Sequence, residues 1–147
     1  MEFGLNFFPS IGPQTKSAAD YFKESLDLVA LADELGFAHV RTVEHYFEPY
    51  GGYSPNPVVF LAAAAQRTAK ARLVTGAMLP IFNNPLKMAG EIGMLDAMCG
   101  GRMILGIGRG AARTEFEAFR IPMDESRARF VEAAEMMLGA LESGYCE

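Results

Sequence analysis

A chain of 147 residues, half of them hydrophobic, can bury a core of single-domain size, roughly 70% of the surface it exposes when unfolded. Its formal net charge of -5 argues against a phosphate-tracking surface, which needs clustered Lys and Arg on one face, so nothing points to a DNA or RNA partner. The longest apolar run, Val58 to Ala65, falls far short of the roughly 20 residues that cross a bilayer, and Glu2 with no basic stretch beside it predicts no signal peptide.

Phe3 to Phe8 is a short apolar run ending at Pro9, followed by a polar loop to Lys16, and reads as a strand. Ser17 stands at an N-cap position with Asp20 three residues on. Phe22, Leu26, Val29 and Ala32 then recur at helical spacing until Gly36, which predicts the first helix. An extended pattern resumes over Phe37 to Val43 and ends in Glu44, His45 and Tyr46, before a Gly- and Pro-rich loop through Pro55. Asn56 and Pro57 pair a capping side chain with the residue best tolerated at the first helical position, and open an Ala-rich helix to about Lys70. Arg72 to Leu79 reads as a third strand. Asn84 and Pro85 repeat the capping device and start a helix to Met98, stopped by Gly100 and Gly101. Arg102 to Ile107 is a fourth strand, followed by Gly108, Arg109 and Gly110 and then a capped helix from about Asp124 to Ser143, ended by Gly144.

The order is βαβαβαβα, which predicts an α/β fold of parallel strands, each joined to the next through a covering helix. Strand exits are long and rich in Gly, Pro and Asn, whereas helix-to-strand returns are short. That asymmetry fits the units of a (β/α)8 barrel, whose chemistry sits at the C-terminal ends of its strands. Such a barrel takes about 250 residues, so only the first four units are present. The chain is then either a truncated piece or a half-barrel that pairs with another chain to cover its strand edges.

His45 and Glu44 stand where the second strand runs out, and an imidazole there suits proton transfer near neutral pH. An ordinary solvated loop histidine is the competing reading. A metal site adding His39 and Glu48 is disfavoured, because His39 lies near the strand's opposite end. Thr75, Gly76 and Ala77 close the third strand with small side chains, so that a flat ligand could lie against backbone, although Gly76 could equally relieve crowding. Gly106-Ile107-Gly108-Arg109-Gly110 leaves backbone amides beside a fixed cation, a workable anion site. Its spacing is GxGxG rather than GxGxxG and no acidic residue follows at the right distance, so a nicotinamide fingerprint is the lesser reading. Asp96 and Arg102 could form a structural ion pair across Gly100-Gly101. Arg127, Arg129, Glu132 and Glu135 read as a solvated helix face. The two cysteines, Cys99 and Cys146, form neither a metal pair nor a disulfide framework; a buried, inert Cys99 and a reducing cytoplasm are expected.

Taken together, MEFGLNFF, TVEHYFEPYG, TGAMLPIFNNPLKMAGEIGMLDAMCGGR, ILGIGRG and the closing SRARFVEAAEMMLGALESGY helix resemble the bacterial luciferase family of flavin-dependent monooxygenases, in order and spacing, over essentially the whole chain. The resemblance implies the N-terminal half of that family's (β/α)8 barrel, with reduced FMN at its top face and oxygen adding to the flavin to give a peroxyflavin that oxygenates a small organic substrate. On this match His45 is the catalytic histidine, with Glu44 shaping the pocket. Gly76-Ala77 corresponds to a non-proline cis peptide against the flavin ring. Arg109, beside Gly108, is directed at the FMN phosphate, and Phe7 and Phe8 line the substrate pocket. Tyr46 stands where luciferase itself has a second histidine and Gly108 where it has a reactive cysteine, departures that point away from light emission. Most of the family's phosphate contacts come from strands beyond residue 147.

The resemblance also implies a flavin reductase as electron donor and subunit pairing through the second and third helices, where small residues at Gly90 and Gly93 permit close approach. A homodimer or heterodimer stands beside ordinary helix-on-barrel packing within one chain. The substrate expected is an aliphatic or other apolar small molecule. F420-dependent hydride transfer on the same fold, and a non-catalytic flavin-binding or partner subunit, are the alternatives.

Overall fold

In the computed structural model, residues 1–47 and 51–144 are described. Four strands, β1 (Gly4–Phe7), β2 (His39–Thr42), β3 (Arg72–Thr75) and β4 (Met103–Ile104), form one parallel sheet in the order β1-β2-β3-β4. The helices between them are α1 (Ala18–Glu34), α2 (Pro57–Ala65) and α3 (Pro85–Met98). After β4 come a short α4 (Arg113–Phe119) and a long α5 (Ser126–Ser143). The fold is the expected α/β succession of (β/α) units.

The expected caps form. Ser17 Oγ accepts from the Asp20 amide at 3.1 Å and donates back to the Asp20 carboxylate at 2.6 Å. Asn56 accepts from the Val59 amide, and Asn84 from those of Leu86 and Lys87. Each removes an amide donor that the first helical turn leaves without a partner.

Alternation along the strands sends Val40, Thr42, Leu73 and Thr75 under the helices. There Val40 and Leu73 meet Val29, Phe60, Leu61, Ala64 and Leu95 in the main core. A second cluster packs Met88, Ala89 and Ile92 of α3 against Met137 of α5 and Met78. Burying each such aliphatic side chain is worth about 1.5–3 kcal/mol, which is what holds the helices to the sheet. The sheet's other face carries His39, Arg41, Arg72 and Val74, which with Glu2 and Gly106 line an open trough of about 490 Å³.

Elements are shorter than expected wherever a side chain captures the backbone. The second helix stops at Ala65 rather than near Lys70. Asp33 of α1 accepts the amides of Ala69, Lys70 and Ala71, and Arg102 donates to the carbonyls of Ala65, Thr68 and Ala71. Burial would raise the Asp33 carboxyl, but the three amides and the nearby Arg102 outweigh it and hold the group below its usual value. The expected Asp96–Arg102 ion pair does not form among the described residues, because the guanidinium is spent on carbonyls and the Thr68 hydroxyl. Strand β3 ends at Thr75 instead of Leu79, and the pairing resumes only as a bridge from Met78 to Ile107. At Gly106 the Thr75 hydroxyl replaces the ladder, accepting from Gly106 N at 2.8 Å and donating to Gly106 O at 2.9 Å. A Cβ on Gly106 would lie 2.2 Å from the Thr75 carbonyl oxygen, so only glycine allows this approach.

The helix expected from about Asp124 begins at Ser126, after a 3-10 turn over Met123–Glu125, and has no side-chain cap. Its charges Arg127, Arg129, Glu132 and Glu135 are exposed as expected. Cys99 is buried, with its thiol directed at the Asp96 carbonyl, whereas Cys146 lies outside the described residues. No helix among the described residues is long and apolar enough to cross a membrane.

Candidate active site

Parallel strands put their C-terminal ends on one side of the sheet, and the segments leaving β2, β3 and β4 are bonded to one another there. The β2 exit is Val43-Glu44-His45-Tyr46. Ser54 holds its start, donating to the Val43 carbonyl at 2.5 Å, while the Ser54 carbonyl accepts the His45 amide at 3.0 Å. Gly51 closes the same loop at φ +77, and a Cβ there would lie 2.2 Å from the His45 Cβ. Glu44 then reaches the β3 exit. Its Oε2 accepts the Leu79 amide at 2.9 Å, and its Oε1 accepts from the Asn83 side chain at 3.0 Å and the Tyr46 hydroxyl at 2.6 Å. The β3 and β4 exits meet through the Met78–Ile107 bridge and the Gly108 amide, which donates to Met78 O at 2.8 Å.

His45 and Glu44 are therefore adjacent in sequence but differently placed. Glu44 is 3% exposed and both its oxygens are engaged in joining two loops. Burial pushes its carboxyl above the usual range, and the hydrogen bonds from Tyr46, Leu79 and Asn83 only partly oppose this. Burial, and then the Glu44 hydrogen bond, push the Tyr46 phenol up as well. His45 is partly buried: its Nδ1 lies 3.0 Å from Glu115 Oε1, and the Phe8 ring sits 5.5 Å from the imidazole.

The peptide between Gly76 and Ala77 is cis. The space a Gly76 side chain would need is taken by the outer part of the exposed Arg41 side chain, a flexible arm whose guanidinium donates to Gly76 O at 2.9 Å. A Cβ on Gly108 would meet the Ala77 Cβ at 3.4 Å and Leu79 at 3.6 Å, so larger side chains at these tips would fill the space between them. Arg109 is exposed, with Nη1 donating to Ser126 Oγ at 3.1 Å.

Phe7 is a correction to the expected pocket. It is 8% exposed, on the helix-covered face of β1, with its ring edge-on to Phe60 at 5.1 Å, and Phe8 alone of the pair reaches His45. His39 opens β2 at the end remote from His45, so the two imidazoles share no site, and Glu48 lies outside the described residues. Sequence reasoning missed Glu115 and Asn83, and also an aromatic cluster beside Tyr46 in which Phe82 stacks on Phe119 at 4.7 Å. The spacing of Phe116 and Phe119 on one helical turn was the available signal.

A strand-end imidazole, small residues at the next tip and an arginine after the third thus follow the ends of neighbouring strands, and comparison with known proteins places the chain. The profile of luciferase-like monooxygenases matches residues 1–147. This chain belongs to that family. The family includes flavin-dependent monooxygenases and F420-dependent oxidoreductases. The structure of monooxygenase RslO1 from Streptomyces bottropensis is 62% identical and superposes with a TM-score of 0.89, over 92% of this chain and 41% of that one. The oxygenating constituent of 3,6-diketocamphane monooxygenase from Pseudomonas putida, a complex with FMN, is 30% identical with a TM-score of 0.86, over 93% and 38%. The F420-dependent glucose-6-phosphate dehydrogenase of Intrasporangium calvum is 38% identical over 128 residues, 82% of this chain and 38% of that protein. The luciferase-like chain thus spans about two fifths of the length of these relatives.

Proposed function

We propose that this chain is the first half of a flavin-binding barrel, in which reduced FMN and O2 serve to oxygenate a small apolar organic molecule. The observation that carries this reading is that the imidazole of His45, the small surface at Ala77 and Gly108, and the guanidinium of Arg109 all follow C-terminal ends of neighbouring parallel strands. The small residues fit a flat ring, and Arg109 retains N–H donors beyond the one given to Ser126, enough to meet a phosphate. When bound, reduced FMN supplies the electrons that let O2 react with the organic substrate. His45 would hold and pass a proton at a ring nitrogen, while Phe8 walls its side and helps exclude water. Glu44 would brace the β2 and β3 exits and handle no proton of its own. A separate reductase would supply the reduced flavin; that a relative is the oxygenating constituent of its monooxygenase supports a division of this kind.

The 38% identity to an F420-dependent dehydrogenase favours a second reading, hydride transfer with reduced F420 and no oxygen. Thermal unfolding with each cofactor separates the two. A ligand at about 100 times its Kd stabilises by about 2.7 kcal/mol, or roughly 5–10 °C in Tm for a domain of this size. The proposal expects that rise with reduced FMN. A rise with reduced F420 alone would transfer the assignment to hydride chemistry, and a rise with neither would leave the non-catalytic subunit.

A further inference from the structure

Glu115 is a carboxylate with no part in the chemistry just described. It stands in α4, 70 positions from His45, yet it is 1% exposed, and its Oε1 lies 3.0 Å from His45 Nδ1 and 2.9 Å from the Tyr46 amide nitrogen. Burying a carboxylate costs several kcal/mol unless donors compensate. Here they come from a single dipeptide and fall on one oxygen, while Oε2 is buried with no hydrogen-bond partner among the described residues. Glu44, by contrast, spends both oxygens joining loops. Glu115 thus puts its one engaged oxygen on the His45 ring and the amide next to it, and leaves the other unused.

The Tyr46 amide can only donate, so Oε1 is held as an acceptor. Facing an ionised carboxylate oxygen, the His45 nitrogen carries the hydrogen of that contact. We infer that Glu115 is the positioning residue of His45: it fixes the imidazole in the Nδ1–H tautomer and sets its orientation against the Phe8 ring, leaving the neutral ring's lone pair on Nε2. This rests on the reading of His45 as the site's proton-handling group. A ring that takes up a proton at Nε2 needs this tautomer, and a carboxylate at Nδ1 stabilises the positive ring that results, as in the acid that orients a histidine in hydrolase triads.

The tautomer is read by 15N NMR of histidine-labelled protein without flavin, at alkaline pH, on the plateau where the ring 15N shifts no longer change with pH. Signals lost in a His45→Gln variant identify the ring. The wild type is expected to show His45 chiefly as Nδ1–H, and Glu115→Ala to convert it chiefly to Nε2–H. Glu115→Gln is expected to keep Nδ1–H, because the Tyr46 amide would repel the Gln NH2 and draw its carbonyl oxygen into the Oε1 place. For O2 consumption with reduced FMN, kcat should fall about ten- to hundredfold in Glu115→Ala with KM little changed, and Glu115→Gln should recover most of that loss. A wild-type ring in the Nε2–H form, or an Nδ1–H ring that survives Glu115→Ala, would overturn the proposal. If Glu115→Ala fails to fold, the wild type and Glu115→Gln decide, and Nε2–H in either contradicts it. Because the tautomer is read without flavin, failure to bind FMN would count against the proposed function and leave this inference standing.

Discussion

Burial raises the Glu44 carboxyl above the usual carboxylate range, and the charge of Glu115 adds to the rise against three opposing hydrogen bonds. An acid raised in this way holds its proton more tightly folded than unfolded. Its contribution to stability is therefore present near its ordinary value of 4.5 and below, and is lost as pH rises through the folded value. Urea unfolding of the wild type and Glu44→Gln between about pH 4.5 and 8 measures this. The wild type should lose stability relative to the variant as pH rises and then level off; a difference that is flat or grows would contradict the assignment. At this scale the sequence made the strand-exit residues legible, because His45, Ala77 and Arg109 each follow an apolar run. Phe7 and Phe8 were expected to line one pocket, although period-two alternation sends neighbouring side chains to opposite faces, and only Phe8 reaches His45. Glu115 and Asn83 were not legible, since their contacts to the β2 exit cross 70 and 39 positions and neither carries a local pattern.

Helix starts were legible because Ser17, Asn56 and Asn84 satisfy amides within their own turn. Element ends were not, because Asp33, Arg102 and Glu44 reach in from distant segments to take backbone groups, and α4 went unseen for want of any capping side chain. The helices also bear on association. Gly90 and Gly93 line an open depression of about 440 Å³ with Ala140 and Leu141 of α5 and Gly144 after it, and a Cβ on either glycine would meet nothing within 4 Å, so packing within the chain does not require these small residues. Val59 on α2 and Met94 and Met98 on α3 are 68%, 67% and 49% exposed, apolar surface that suits a second copy. We propose a homodimer through these two helices. Sedimentation should show a dimer for the wild type, and Met94→Glu should raise its Kd at least about tenfold, since a charge would be buried at the contact. A monomeric wild type, or a variant with unchanged Kd, would refute this.

Across the whole molecule the four-unit α/β order was readable from the alternation of apolar runs and capped helices, and the parallel register follows it strand by strand. The β2, β3 and β4 exits are tied together by Glu44 and the Met78–Ile107 bridge into one connected rim. The most direct test of this account is the amide chemical-shift map of the protein titrated with FMN. Shifts should concentrate at residues 45–46, 76–78 and 106–110, on three separate segments at one rim. Shifts confined to the trough around Arg41 and Arg72, or scattered without regard to the strand ends, would contradict it.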